Sequence, residues 1–184
     1  MNPPTTDEQL LKQFVKGDQH SLGQLAQRYE LPLLGLACGL LAGQRDLAMD
    51  AVQETWMRVI RFGHSFNGKS SVKTWLYRIA INQCRNLQSK PRAGSSNIDD
   101  APQSQPEHGG PAEEAQENEQ NLVLLNAVRQ LGEQKRSIVL LCYHAGMTHE
   151  QAAEILNIPL GTLKSRLHAA FEQLRATLSP EAVK

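Results

Sequence analysis

The sequence predicts an all-α protein of two small helical domains joined by a flexible linker, the C-terminal one containing a helix-turn-helix. Three observations lead there. Apolar residues recur at helical spacing on both sides of the middle of the chain, and period-two alternation is sustained nowhere. The middle, from Ser89 to about Ala112, holds Pro91, Pro102, Pro106 and Pro111 among Ser, Gly and Gln, with almost no large apolar residue, which is linker composition. Thr148 to Leu167, THEQAAEILNIPLGTLKSRL, reads as two short helices around a tight turn. The divisions are then 5–88, a linker over 89–117, and 118–180.

Each element has its own signal. Thr6 with Gln9 forms a capping-box pattern that opens a first helix, about Asp7 to Lys16, with Leu10, Leu11, Phe14 and Val15 as its stripe. Gly17-Asp18 ends it. Ser21 with Gln24 opens a second helix carrying Leu22, Leu25, Ala26 and Tyr29, which continues towards Leu41 with Pro32 as a point of bending. A third, about Arg45 to Phe62, carries Leu47, Val52, Trp56, Val59 and Ile60. The loop Phe66 to Ser71 separates it from a fourth, about Val72 to Leu87. Beyond the linker, Glu113 to Glu119 suits the positive end of a helix dipole. From Asn121 a helix presents Leu122, Leu125, Val128 and Leu131 on one face. Another, Gln134 to His144, carries Ile138, Val139, Leu141 and Cys142 and stops at Gly146.

The last two helices carry the clearest chemistry. Thr148 with Gln151 repeats the capping box, and Ala152, Ala153, Ile155 and Leu156 make a small apolar face that lets another helix cross closely. Asn157 tolerates the left-handed turn, and Pro159 suits the first turn of the next helix because it has no amide hydrogen to lose. Leu163 and Leu167 then face inward, leaving Thr162, Lys164, Ser165, Arg166 and His168 outward. Such a second helix enters a DNA major groove in the helix-turn-helix motif.

Formal net charge is zero, but the charges are segregated. Residues 55–98 hold eight Lys/Arg and no acid, whereas 99–120 hold seven acids and no Lys/Arg. A solvated helix face mixes signs, so the acid-free block is a candidate phosphate-contacting surface. Aromatics at 5% suggest helical cores built on Leu, Ile, Val and Ala. No stretch approaches the roughly 20 apolar residues that cross a bilayer, so no membrane insertion is expected. No secretory signal is visible in MNPPTTDEQ. Cys38, Cys84 and Cys142 are odd in number and widely spaced, which reads as reduced thiols packed as small hydrophobes in the cytoplasm, with neither metal nor cofactor. No nucleotide-binding, zinc-protease or nucleophile-elbow pattern occurs, so no catalysis and no catalytic residues are expected.

At four places, in order, the chain resembles the extracytoplasmic-function (ECF) sigma factors, RNA polymerase subunits with sigma regions 2 and 4 only. Asp7-Glu8-Gln9-Leu10-Leu11 with Gly17-Asp18 resembles the opening of region 2.1. Asp50-Ala51-Val52-Gln53-Glu54-Thr55-Trp56 resembles the D-L-V-Q-E-T-F motif of region 2.2. Lys73 to Ala80 with Asn82 resembles R-T-W-L-Y-R-I-A-x-N of regions 2.3 to 2.4. Ile158-Pro159 with Gly161 to Leu167 resembles I-P-x-G-T-V-K-S-R-L of region 4.2. The chain departs from the pattern at Ala169-Ala170-Phe171, where the family often has R-x-R, and at Leu47 and Met49, where acidic residues are common.

The resemblance implies roles. Asp50, Gln53 and Glu54 would dock on the coiled coil of the largest polymerase subunit, and region 4 on the flap region. Asn67, Lys69, Ser70, Lys73, Tyr77, Arg78, Asn82 and Arg85 would hold the −10 element, whose melted strand needs stacking and cations. Trp75, Leu76, Ile79 and Ala80 follow helical spacing and read as core. Lys164, Ser165 and His168 would meet base edges of the −35 element, with Thr162 and Arg166 on phosphates. An anti-sigma factor is the expected inhibitor. The rivals are a free-standing helix-turn-helix regulator and a helical adaptor that does not bind DNA. Whether the two domains pack together is left open.

Overall fold

The computed structural model describes residues 5–89 and 122–178, and every regular element among them is helical. The N-terminal half begins with α1, Asp7–Val15, closed by the expected capping box: the Gln9 amide donates to Thr6 Oγ1 at 3.3 Å, and the Thr6 amide donates to Gln9 Oε1 at 2.9 Å. Leu10 and Leu11 are buried, but Val15, the last helical residue, is 45% exposed, so the apolar stripe ends one turn earlier than its composition suggests.

The second helix, α2, spans Gln19–Leu40 and starts earlier than Ser21. Asp18 is the cap, its carboxylate accepting from the His20 amide at 3.0 Å. Ser21 is instead buried, its hydroxyl 2.6 Å from Asp18 and 2.9 Å from Gln13, tying α2 to the end of α1. Pro32 lies inside α2 and removes one ladder hydrogen bond. Leu33, Leu36, Ala37 and Leu40, all buried beyond it, carry the helix through.

Helix α3, Arg45–Phe62, buries Ala48, Ala51, Val52, Thr55 and Val59. Ile60 is 50% exposed rather than core, because it lies a further ~100° round the helix from Val59. A short 3₁₀ turn, Gly63–Ser65, leads to the loop before α4, Val72–Ser89. The Glu8 carboxylate of α1 accepts from the Val72 amide at 3.2 Å, so one helix satisfies an orphan amide of another.

Beyond the linker, α5 is described over 122–130. Of its expected face only Val128 is buried, together with Leu131 just past it, while Leu122 and Leu125 are exposed. Helix α6, Glu133–Val139, runs on into a π turn, Leu140–His144. Then come α7, His149–Leu156, and α8, Leu160–Leu178. Both halves of the Thr148–Gln151 capping box form, and Asn157 adopts φ 54°, ψ 50°, the left-handed turn its side chain tolerates. The linker over 89–117 lies outside the described residues except Ser89, which ends α4; Glu113 to Glu119 lie outside as well.

Two apolar clusters hold these helices. The smaller joins Leu10, Leu11, Leu25, Val59, Val72 and Leu76 beneath α1. The larger is continuous from Leu33 to Leu174, with Leu40 and Ile81 in the same cluster as Ile138, Leu141 and Leu163. The two halves therefore pack against each other, which the sequence left undecided. The side of the N-terminal half that faces the C-terminal half consists of α2 and α4.

Candidate nucleic-acid interface

Three polar surfaces carry the residues singled out from the sequence. On α3, Asp50, Gln53 and Glu54 are all exposed, at the i, i+3, i+4 spacing that aligns side chains. With Met57, Arg58, Gln83, Asn86 and Leu87 they line a hollow of about 770 Å³ between α3 and α4. Glu54 also reaches Arg58 at 3.4 Å along the helix.

The second surface is built by the loop before α4 and by α4 itself. The Lys69 amide donates to Asn67 Oδ1 at 3.1 Å, and Gly68 takes φ 71°, so the loop is a tight side-chain-closed turn. Ser71 caps α4, accepting from the Thr74 amide at 3.1 Å. Asn67, Lys69, Ser70, Arg78, Asn82 and Arg85 come together along a cleft of about 1100 Å³ whose opposite wall is Ala153 to Pro159.

Two expected members of that set are elsewhere. Lys73 donates from Nζ to the Ala145 carbonyl at 3.0 Å and lies 5.9 Å over the Tyr77 ring. Tyr77 is 2% exposed, edge-on to Tyr29 at 6.5 Å, with burial pushing its hydroxyl pKa up. It shares the inward face of α4 with Ala80, Ile81 and Cys84, three, four and seven residues on, so it is a core residue here and presents no ring for a base to stack on.

Trp75 shows the reverse. Grouped by spacing with the core, it is half-buried, lines the cleft and leans on Phe66 at 5.4 Å. The signal was present in the sequence: positions 75, 78, 82 and 85 step by three, four and three, so Trp75 shares a face with Arg78, Asn82 and Arg85. Leu76 and Ala80, by contrast, are buried as expected, and Ile79 is half-buried.

Two of the three cations along this cleft, Arg78 and Arg85, are engaged by the C-terminal half. Arg78 Nη2 reaches Glu154 of α7 at 2.7 Å, and Arg85 Nε reaches Glu133 of α6 at 3.3 Å. Arg78 Nε is buried without a hydrogen-bond partner among the described residues.

The third surface is α8. Leu163 and Leu167 are buried and anchor it, while Lys164, Ser165 and His168 are exposed and Thr162 and Arg166 half-buried. The Ser165 hydroxyl turns back to the Thr162 carbonyl at 3.0 Å. At the start of α7 the Glu150 carboxyl is held below the usual range by hydrogen bonds to its backbone amide and the Thr148 hydroxyl, with smaller contributions from His149 and Lys164 nearby. Among the described residues Lys164, Arg166 and His168 take part in no salt bridge. No helix among the described residues is long and apolar enough to cross a membrane, and no cluster of His, Cys, Asp and Glu there could hold a metal.

The chain with this outward cationic second helix, cation-lined cleft and polar α3 face is of the sigma-70 class. The Sigma-70 region 2 profile matches residues 25–92, and the Sigma-70 region 4 profile matches 121–174. Over 98% of both chains the sequence is 32% identical to the ECF RNA polymerase sigma-E factor of Escherichia coli (strain K12). It is 27% identical to that of Haemophilus influenzae, over 95% of this chain and 96% of the other. The fold resembles CnrH in its complex with the cytosolic domain of CnrY, with TM-score 0.70 and 21% identity over 94% of this chain and 96% of that one. It also resembles the sigma factor RpoE of Bartonella quintana in complex with the anti-sigma factor NepR, with TM-score 0.56 and 25% identity over 85% and 98%. The chain belongs to the ECF RNA polymerase sigma factors and is an alternative sigma factor that directs transcription initiation.

Proposed function

We propose that the three surfaces divide the work of initiation. The α3 face of Asp50, Gln53 and Glu54 docks on the coiled coil of the largest polymerase subunit, where an exposed carboxylate pair beside the half-exposed Met57 offers both charge and apolar contact. The loop Asn67 to Ser70 and the face of α4 carrying Trp75, Arg78, Asn82 and Arg85 hold the melted −10 strand by stacking and phosphate contacts. Lys73 joins them once its bond to Ala145 is released. Lys164, Ser165 and His168 read the −35 duplex, with Thr162 and Arg166 on its phosphates.

The single observation that carries this reading is the alignment of an indole, two guanidiniums and an amide on one face of α4 beside the Asn67 turn. The reading requires no bond-making step, cofactor or catalytic residue. Its boundaries are 5–88 for the −10 and polymerase-binding half, 89–117 for the linker and 118–180 for the −35 half. The site of action is the cytoplasm, where polymerase and promoter are. An anti-sigma factor as regulator fits the neighbour RpoE, whose structure holds the anti-sigma factor NepR.

The test is transcription in vitro with core polymerase on a genomic library, mapping start sites with and without the protein. New starts that share two spaced elements, and that vanish with Arg78→Ala or Lys164→Glu, are the expected result. Promoter binding of full strength without core polymerase would favour a free-standing regulator and refute the reading.

A further inference from the structure

Past His168, α8 offers a duplex little positive charge. Ala169, Ala170, Phe171, Glu172, Gln173 and Leu174 follow, and the next cation, Arg175, reaches Glu172 at 2.8 Å. The outward face nevertheless continues. Positions 164, 168, 171 and 175 step by four, three and four, so Phe171 stands in line with Lys164 and His168. All four residues are exposed.

The partner of Phe171 comes from another element. Tyr143 lies in the π turn that closes α6, where Leu140 and Leu141 are buried. Its ring stands edge-on to Phe171, with centroids 5.3 Å apart and planes at 83°. Aromatic quadrupoles favour that arrangement, so the pair fixes the tilt of the phenol. Yet Tyr143 is 62% exposed, and its hydroxyl makes no hydrogen bond among the described residues. The π turn leads into α7, the first helix of the motif, and in helix-turn-helix proteins that helix crosses the sugar-phosphate backbone. Tyrosine is among the uncharged side chains that donate to phosphate oxygens and set the register of a protein on a duplex.

We propose that the Tyr143 hydroxyl donates to a phosphate oxygen flanking the −35 element, and that Phe171 is the positioning residue that holds the phenol for this contact. The inference rests on the reading of α8 as the −35 helix. It places a backbone contact beside the stretch 169–174, which carries no cation. A neutral donor displaces no condensed counterion, so the contact adds affinity without adding salt dependence. That signature separates it from Arg166, the cation read as a phosphate contact.

The test uses the full chain assembled with core polymerase, and a fluorescein-labelled duplex carrying only the upstream element of a promoter mapped with that holoenzyme. Anisotropy gives Kd over a salt series from about 50 to 200 mM. Tyr143→Phe removes only the hydroxyl and should weaken binding about tenfold, with the slope of log Kd against log salt unchanged. Phe171→Leu should weaken it about three- to tenfold, and Phe171→Tyr should keep the parent affinity. Adding Tyr143→Phe to Phe171→Leu should cost little more, because both act on one contact. Arg166→Gln, by contrast, should flatten the slope by about 0.9. Replacing phosphates singly by methylphosphonate locates the acceptor: one position should weaken the parent and leave Tyr143→Phe unaffected. Circular dichroism checks that each exposed substitution keeps the helix content.

Parent affinity in Tyr143→Phe, or a loss that brings a flatter slope, overturns the proposal. Lys164→Glu then tells which reading has failed. If it abolishes binding, the −35 helix stands and only the Tyr143 contact falls; if it does not, both fall. Full affinity in Phe171→Leu overturns the positioning role, and the lack of any methylphosphonate position of the expected kind overturns phosphate as the acceptor.

Discussion

Leu163→Ala tests whether α8 and the distant N-terminal half share one core. Leu163 is 0% exposed and belongs to the cluster that runs continuously from Leu33 to Leu174. Removing three buried carbons costs roughly 2.5 kcal/mol in transfer free energy alone. The cavity left between helices brings the total to about 3–4 kcal/mol. With a urea dependence of about 2 kcal/mol/M, the midpoint should fall by about 1.5–2 M. The assay exploits where the tryptophans are. Trp56 and Trp75 are the two in the chain, and both lie in the N-terminal half. If the core is continuous, tryptophan fluorescence must report the loss although the mutation is in α8, and its midpoint must move with that of far-ultraviolet circular dichroism. A tryptophan midpoint that stays in place while the circular dichroism splits into two transitions would refute the shared core. A shift below about 0.5 M by both probes would refute the packing argument at Leu163 itself.

Four further outcomes follow from the same geometry. Lys164→Glu with Arg166→Glu should reduce transcription from −35-dependent promoters more than about tenfold while thermal stability changes by no more than about 0.5 kcal/mol per site, since these side chains project outward; run-off transcription and a melting curve check both. Trp75→Ala should weaken binding of single-stranded DNA by about 1–3 kcal/mol, a loss that Trp75→Phe largely restores. Thr148→Ala removes both bonds of the α7 capping box and should cost about 1 kcal/mol in urea denaturation, with Thr148→Ser close to the parent. Burial pushes the Cys84 thiol up to about 12, so iodoacetamide at pH 8 should leave it unmodified in the folded protein, as mass spectrometry reads directly. Because the folded pKa of Cys84 is the raised one, its contribution to stability is complete below the unfolded value near pH 9 and is lost as pH rises from there towards 12.

Much of this architecture was legible because local signals carried it. The capping boxes at Thr6 and Thr148, the left-handed Asn157 and the inward Leu163 and Leu167 are decided within a few residues, and all take the expected form. The start of α2 was misjudged because Asp18 and Ser21 both suit a cap, and only the proximity of Gln13 from α1 turns Ser21 inward. Tyr77 and Trp75 exchanged expected places for a related reason. Both are amphipathic aromatics on one helix, and the choice between core and cleft depends on what packs against each side of α4, which is α2 and α3 on one side and the Phe66 loop on another. The contact between the halves was beyond local reading altogether. The Gly35, Gly39, Gly43 spacing was visible, but its occupants, His144, Leu140 and Arg129, lie about 90–110 residues away and across a linker.

The segregation of charge acquires a structural consequence once the halves are in contact. Residues 55–98 contain no acid, so any counter-charge for their cations has to come from elsewhere in the chain. Arg58 takes its from Glu54 at the edge of the block, Arg78 from Glu154 and Arg85 from Glu133. The last two are therefore neutralised only while the C-terminal half stays in place. Each such pair between partly exposed groups contributes at most about 1 kcal/mol and weakens with salt. The apolar contact at Gly39 and Leu140 is insensitive to salt to a first approximation, so the two parts of the interface respond differently to ionic strength. Raising salt should weaken the ionic part of this contact, yet it also weakens strand binding through counterion release, and the second effect grows with every phosphate contacted. A protein carrying Glu133→Gln and Glu154→Gln should consequently show the steeper salt dependence of strand binding, since its cations no longer exchange one set of carboxylates for phosphates but meet the phosphates directly. Equal slopes for the variant and parent proteins would show that Glu133 and Glu154 do not compete with DNA.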